Sequence, residues 1–226
     1  MKRTFDICVY CGKRKKLTVD HVPPKLFLAP PYPPNLLTVP ACHECNASFT
    51  KNDEYTRTVV ILDVRASNNT DAQAKLPAVM RSLLRPDARR LAEYLARSTE
   101  KSTILGEDSR PWADAIEMDR SRVHASGERM IRGLYFVEMQ EALPQDAAVR
   151  VAAKAGISAR EPAIQEFARL YARAAVRRDR AIGTAFSYAA GFMGNISVWM
   201  MLLYDYFAWL GTVDCRPVYE RQTSWP

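Results

Sequence analysis

The chain lacks several features that would place it outside the ordinary globular proteins. Its 226 residues contain no internal repeat and no low-complexity tract, which argues against solenoid and biased-composition classes. The apolar run 196–212 is short of a full membrane span and contains Asp205, so we interpret it as buried sheet. No apolar segment follows the basic residues near the start. We therefore expect no secretory signal, no membrane partner and a cytoplasmic location.

Cysteine is scarce, and its placement is informative. Four of the five cysteines form two C-x-x-C pairs, Cys8 with Cys11 and Cys42 with Cys45. In a reducing compartment such pairs indicate metal ligands, because each tight turn directs two thiolates at one tetrahedral ion. The sequence therefore predicts a structural zinc site. Cys215 stands alone, and we interpret it as a small buried hydrophobic residue.

The net charge of +7 is only moderately basic and does not identify a partner by itself. The distribution of the charge is more informative. Four consecutive cations follow the first cysteine pair, namely Lys13, Arg14, Lys15 and Lys16. We interpret this basic run as a contact for nucleic-acid phosphates. Arg169, Arg173 and Arg177 recur every four residues, which predicts one stripe on a helix, and we interpret that stripe as a solvated face.

The pattern of hydrophobicity changes along the chain. Up to about residue 57, cysteine pairs alternate with short β-type runs and a proline-rich loop, whereas the later residues are typical of amphipathic helices and strands. The polar run 66–71 has no periodicity and suggests a boundary. We predict an α+β protein with an N-terminal module over residues 1–63. A mostly helical α+β domain with a small antiparallel sheet is predicted over 76–226.

Local patterns predict the elements of both parts. The first part should contain short strands at 17–19 and 36–39 and a helix that begins at the second cysteine pair. Helices of the second part are predicted near 77–85, 87–98 and 126–142, and after a capping box at 158–161. Its strands are predicted at 149–153, 184–190 and 196–206.

Six chemically distinct positions in the first quarter of the chain occur in a recognisable order. They are the pair Cys8-x-x-Cys11, Asp20, His21, Asn35, the pair Cys42-x-x-Cys45, and Asn46. In this order they resemble the HNH endonuclease family in its zinc-bound form. The ββα-metal motif of that family places a histidine at the end of the first strand and a metal ligand on the helix. The third motif position is asparagine here, where many family members have histidine.

The resemblance implies a role for each polar residue of the motif. His21 would deprotonate the water that attacks a phosphodiester. Asp20 and Asn46 would bind a magnesium or manganese ion, which takes its other ligands from water and substrate. Asn35 would brace the loop and orient His21 through a hydrogen bond to the backbone. Lys25 follows closely and is a further candidate for phosphate contact.

Each of these roles has a simpler alternative. An isolated Asp-His pair usually carries no function, Asn35 follows two prolines and could be a turn residue, and Asn46 could cap the helix. The position of the Asp-His pair between two cysteine pairs favours the catalytic interpretation. The expected function is therefore a metal-dependent endonuclease that acts on nucleic acid, DNA rather than RNA. The alternative is a zinc-stabilised nucleic-acid-binding or adaptor module without nuclease activity.

The second part of the chain contains no motif that identifies a function. It could recognise the substrate, form a homodimer or sense another molecule, as domains appended to nucleases do.

Overall fold

A computed structural model describes residues 7–104 and 118–217, without the side chains of Val64 and of residues 98–104. The outer ends of the two predicted domains, 1–6 and 218–226, lie outside the described residues. The elements, in chain order, are β1 (Leu17–Val22), β2 (Leu37–Cys42), α1 (His43–Leu62), α2 (Thr70–Leu83), α3 (Arg89–Ile104), α4 (Arg120–Met139), β3 (Ala148–Ala155), α5 (Pro162–Arg173), β4 (Val176–Ile182), β5 (Phe186–Met193), β6 (Ile196–Leu203) and β7 (Phe207–Asp214). This mixture of helices with two antiparallel sheets confirms the α+β class.

The N-terminal part is a hairpin followed directly by a helix. β1 and β2 pair in antiparallel register, with His21 opposite Thr38. α1 begins at the residue after β2, because Cys42 is still extended while its thiol accepts a hydrogen bond from the Cys45 N–H. Further along, α1 buries Tyr55 and Val59 against the rest of the protein. The predicted strand-strand-helix order of this part is therefore present.

The polar run 66–71 is an ordered connection between two helices. Asn69 caps α2, since its side-chain oxygen accepts hydrogen bonds from the N–H groups of Asp71 and Ala72. The same side chain donates to the Asp205 carboxylate, between β6 and β7, at 2.9 Å. Asn69 is consequently buried, and it links the start of α2 to the sheet of the second part.

A five-stranded antiparallel sheet forms the centre of the second part, in the order β3-β7-β6-β5-β4. α4 packs on one face at very short range. A Cβ atom at Gly127 would lie 2.4 Å from the Trp209 ring, and one at Gly211 would lie 2.2 Å from the Ile131 side chain. These two glycines therefore let the helix approach the sheet. α5 packs against β5 and β6, where Gly191 leaves room for Ala174 just beyond the helix.

The sheet is larger than the sequence predicted, for two local reasons. The run 196–206 is not one strand: β6 ends at Leu203, and Tyr204 and Asp205 both have positive φ angles, which reverse the chain into β7. The second reason is that residues 176–182, which include the last arginine of the predicted helical stripe, form strand β4. α5 ends at Arg173, and Arg177 lies on β4, so the prediction of a single helical stripe was wrong.

The hairpin, α1 and the sheet share one hydrophobic core. Hydrogen bonds from the sheet to the N-terminal part cross this core. Tyr204 donates its hydroxyl to the Phe27 carbonyl at 2.5 Å, and the Tyr206 hydroxyl donates to the Val60 carbonyl. No helix within 7–104 or 118–217 is both long enough and apolar enough to cross a membrane.

Candidate functional site

Two tight turns bring the four paired cysteines together. In the first, Gly12 has φ +64° and its N–H donates to the Cys8 carbonyl at 2.9 Å, which folds the pair back on itself. The Val9 N–H donates to the Pro40 carbonyl and so ties this turn to β2. The second turn is the junction between β2 and α1, where Cys42 ends the strand. The two cysteine pairs, which are about 30 residues apart in the sequence, therefore lie next to each other in the structure.

The sulfur positions fit a zinc ion. The Sγ atoms of Cys8, Cys11, Cys42 and Cys45 all lie within 4.8 Å of one another, and those of Cys11 and Cys42 are 4.0 Å apart. Zinc–sulfur bonds of about 2.3 Å in a tetrahedron require sulfur–sulfur distances of about 3.8 Å. Burial and the neighbouring thiols raise the pKa of Cys45 and so disfavour its thiolate, which means that the deprotonated form requires a cation to compensate its charge. The four cysteines could therefore hold a zinc ion.

Asp20 lies on the buried side of β1, where its carboxylate accepts four hydrogen bonds. Arg129 of α4 donates one Nη2 to both oxygens at 2.5 Å. The Tyr10 hydroxyl donates to Oδ2 at 2.6 Å, and the His21 N–H donates to Oδ1 at 2.9 Å. A carboxylate has about four lone-pair positions, and all of those of Asp20 are therefore used.

Arg129 joins Asp20 to a second buried carboxylate. Its Nη1 donates to Asp53 of α1 at 2.5 Å, and the Ser126 hydroxyl donates to the other Asp53 oxygen at 2.6 Å. Burial raises the pKa of Asp53 to about 6, although the charge of Arg129 acts in the opposite direction. Burial also acts to lower the pKa of Arg129, but Asp53, Tyr10 and Asp20 outweigh it and raise that pKa. The guanidinium is therefore charged near pH 7.

His21 is the motif residue with an accessible side chain at the end of β1. Consecutive side chains of a strand point to opposite faces, so the imidazole of His21 faces away from the buried Asp20 carboxylate. It is half-buried, and burial, followed by the charge of Lys25, lowers its pKa below the usual range. The imidazole is consequently neutral near pH 7.

The two motif asparagines have different surroundings. Asn35 donates its amide to the Ala181 carbonyl of β4 at 2.8 Å, which ties the proline-rich loop to the edge of the sheet. Asn46 is in the first turn of α1 and is half-buried, and its amide lies 3.5 Å from the Thr18 hydroxyl of β1. Asn46 is not the helix cap, because Cys42 has that position. Asn46 thus lies beside β1 of the hairpin. Asn35 is instead hydrogen-bonded to β4 of the five-stranded sheet.

The basic run directly follows the first cysteine pair of the four-cysteine cluster. Lys13, Arg14 and Lys16 are exposed, and Lys15 forms an ion pair with Glu44 of α1. Lys25 is also exposed, with its ammonium 5.1 Å from the centre of the Tyr32 ring. The cations assigned to phosphate contact therefore have access to solvent on the N-terminal part.

A magnesium site formed by Asp20 and Asn46 is not supported by this arrangement. The Asp20 carboxylate is 6% exposed and has no unused lone pair, and the described contact of the Asn46 amide is with Thr18 and not with Asp20. Magnesium keeps several of its waters, which need open space around the carboxylate ligand. Among residues 7–104 and 118–217, the four cysteines are the one group of three or more Cys, His, Asp or Glu side chains that could hold a metal.

Arg129 is the residue of this site that the motif does not predict. A signal for it exists in the sequence: Ser126, Arg129 and Gly133 interrupt the apolar pattern of α4 at spacings of three and four, which places them on one helix face.

Comparisons of the chain with protein-family models, curated proteins and solved structures found no match. The resemblance to HNH nucleases therefore depends on the motif residues alone.

We predict that replacing one cysteine of the cluster removes the metal. The Cys42→Ser protein should contain less than one tenth of the zinc of the wild type and should unfold at a lower temperature, because so small a hairpin depends on its metal for stability. Zinc per chain is measured by mass spectrometry of the purified protein. Cys215→Ser is the control and should keep one zinc per chain. A zinc content of one per chain in Cys42→Ser would contradict the assignment.

A second prediction concerns the pH dependence of stability. The pKa of Asp53 is about 6 in the folded protein and about 4 when unfolded, so the folded state binds the proton more tightly. The contribution of Asp53 to stability therefore increases as the pH falls from 7 towards 5. Urea unfolding of the wild type and Asp53→Asn at several pH values measures this contribution. The stability difference between the two proteins should change in favour of the wild type at the lower pH. A difference that does not vary with pH would show that folding does not raise the pKa of Asp53.

Proposed function

We propose that the protein is an endonuclease of the HNH type that hydrolyses phosphodiester bonds in nucleic acid, with DNA as the expected substrate. The observation that carries the proposal is the position of His21. It lies at the end of the first strand of a strand-strand-helix unit, and its imidazole is accessible; the four-cysteine cluster is at the opposite end of the same hairpin, where Leu17 pairs with Cys42. This is the place that the resemblance assigns to the general base.

In the proposed reaction His21 takes a proton from the attacking water. A phosphodiester is anionic and repels hydroxide, so a base that generates the nucleophile at the scissile bond lowers the barrier. The backbone N–H of His21 is held by the Asp20 carboxylate, and the strand continues directly into the rigid Val22-Pro23-Pro24 segment. His21 is therefore presented from a fixed backbone, which is what orientation of a catalytic group requires.

The exposed cations would bind the substrate backbone. Lys25 lies four residues after His21, and the basic run is on the same N-terminal part. Contacts of lysine and arginine with phosphates position a nucleic acid without reading its sequence. We accordingly propose that these residues place the backbone beside His21.

One observation favours a different function. The Asp20 carboxylate, which the family uses for its cation, is paired with Arg129. A chain in this state would fit a zinc-stabilised nucleic-acid-binding or adaptor module without nuclease activity. The two functions are distinguished by plasmid nicking with Mg²⁺ or Mn²⁺: cleavage that disappears with a chelator supports the nuclease, and binding without cleavage supports the module.

We predict that His21→Ala lowers the nicking rate at least about 100-fold, which is the lower end for loss of an acid–base group. DNA affinity and the unfolding temperature should stay close to those of the wild type, since the imidazole is half-buried and contributes no described hydrogen bond. His124→Ala, which changes a histidine on α4, is the matched control and should cleave normally. Wild-type nicking by His21→Ala would reject the general-base role.

The basic run generates a further prediction. Replacing Lys13, Arg14 and Lys16 with alanine should weaken binding to all DNA sequences alike and reduce the slope of log affinity against log salt, because fewer counterions are released. Lys15 is left in place, since it pairs with Glu44. A variant that replaces Arg169, Arg173 and Arg177 removes the same charge from the second part and is the control. Equal losses in the two variants would indicate that only net charge matters.

A further inference from the structure

We propose that Arg129, Asp20 and Asp53 form a charge clamp that fastens α4 to the N-terminal hairpin and α1, and that Asp20 acts as a counter-ion of Arg129 and not as a metal ligand. The proposal concerns the role of Asp20, and its tests measure metal binding and stability, not cleavage of nucleic acid.

The first argument is the position of the three charges on three elements. Asp20 belongs to β1, Asp53 to α1 and Arg129 to α4, and all three side chains are at most 6% exposed. The guanidinium is planar with nitrogen donors on separate edges, so it can bind two carboxylates at once. One side chain of the second part therefore connects both main elements of the first.

The second argument is the packing around the clamp. Gly133 lies one turn after Arg129, and a Cβ atom there would be 2.6 Å from Val22 Cγ2. The guanidinium is also covered by the Phe49 ring, whose centre is 4.9 Å from Arg129 Cζ. α4 is consequently in direct contact with β1, and the space beside Asp20 is filled by protein. A hydrated divalent cation requires that space for its waters.

The third argument is the energetic cost of each state. A buried ion pair is tolerated when both partners are present, whereas removal of one partner leaves an uncompensated charge. If Asp20 turned to a cation, Arg129 would retain only Asp53, whose pKa of about 6 already reflects the cost of burying its charge. The clamp is therefore the arrangement in which each of the three charged groups lies against an opposite charge, while Arg129 Nε is buried without a hydrogen-bond partner.

The test compares metal binding with stability in one substitution. Mn²⁺ binding to the zinc-loaded protein is measured by the electron paramagnetic resonance signal of free Mn²⁺, for the wild type and for Asp20→Asn. If the wild type binds Mn²⁺, we expect Asp20→Asn to bind it with the same affinity within about twofold. A tenfold or greater loss of Mn²⁺ affinity in Asp20→Asn would overturn the counter-ion role.

The same variant should lose stability. We expect Asp20→Asn to unfold about 10 °C below the wild type, as is typical when one member of a buried ion pair is removed from a protein of this size. Glu44→Gln is the matched control, because it removes a carboxylate from the exposed ion pair with Lys15, and it should change the unfolding temperature by less than about 2 °C. Equal unfolding temperatures of Asp20→Asn and the wild type would also overturn the clamp.

A double-mutant cycle keeps the proposal testable if Asp20→Asn is very unstable. Asp20→Asn and Arg129→Met are combined, and their unfolding temperatures are compared with those of the single variants. Asp53 lacks Arg129 both in the Arg129→Met single variant and in the double variant. The cost of that loss is therefore the same in both and cancels when the two are compared. We expect the loss in the double variant to be clearly smaller than the sum of the two single losses. Additive losses would show that Asp20 and Arg129 are not coupled.

Discussion

A guanidinium buried between two carboxylates fixes how α4 packs against β1 and α1. Arg129 has no access to water, so Asp20 and Asp53 must both be in place whenever α4 is packed, and α4 in turn packs on the sheet through Gly127. The hairpin, the first helix and the sheet are therefore ordered around one polar interaction inside an otherwise apolar core. The four-cysteine cluster joins the turn ahead of β1 to the end of β2, and Arg129 connects that hairpin to α4.

The parts of the fold that could be predicted are those in which local chemistry decides the structure. The spacing of the cysteine pairs is sufficient for the cluster, because each pair needs only a tight turn. The order of two strands and a helix follows from β-type runs and from the helix start at the second pair. Strand breaks were harder to predict. The end of β6 depends on positive φ angles at Tyr204 and Asp205, which are compensated by tertiary hydrogen bonds such as that of Tyr204 to Phe27.

In the candidate site, too, the features set by local sequence were predictable, and the contacts between distant residues were not. The sequence places His21 at a strand end with Lys25 four residues later, and both side chains have access to solvent in the structure. It does not reveal the partner of Asp20, because Arg129 is 109 residues away in the chain and belongs to another element. A motif describes which groups are near one another within a segment. Whether a carboxylate of that segment is free depends on long-range packing, which has no periodic signal.

Burial of the β1 surface against α4 also has an evolutionary consequence. A segment that moves between proteins needs a surface that tolerates new neighbours, and such surfaces are polar. Here the hairpin presents Val22 to a glycine on α4 and Asp20 to an arginine on the same helix. Transfer of this segment into an unrelated host would expose an apolar side chain and would leave its carboxylate without the matching cation. The hairpin and α4 are thus expected to change together, so that substitutions at one are accompanied by substitutions at the other.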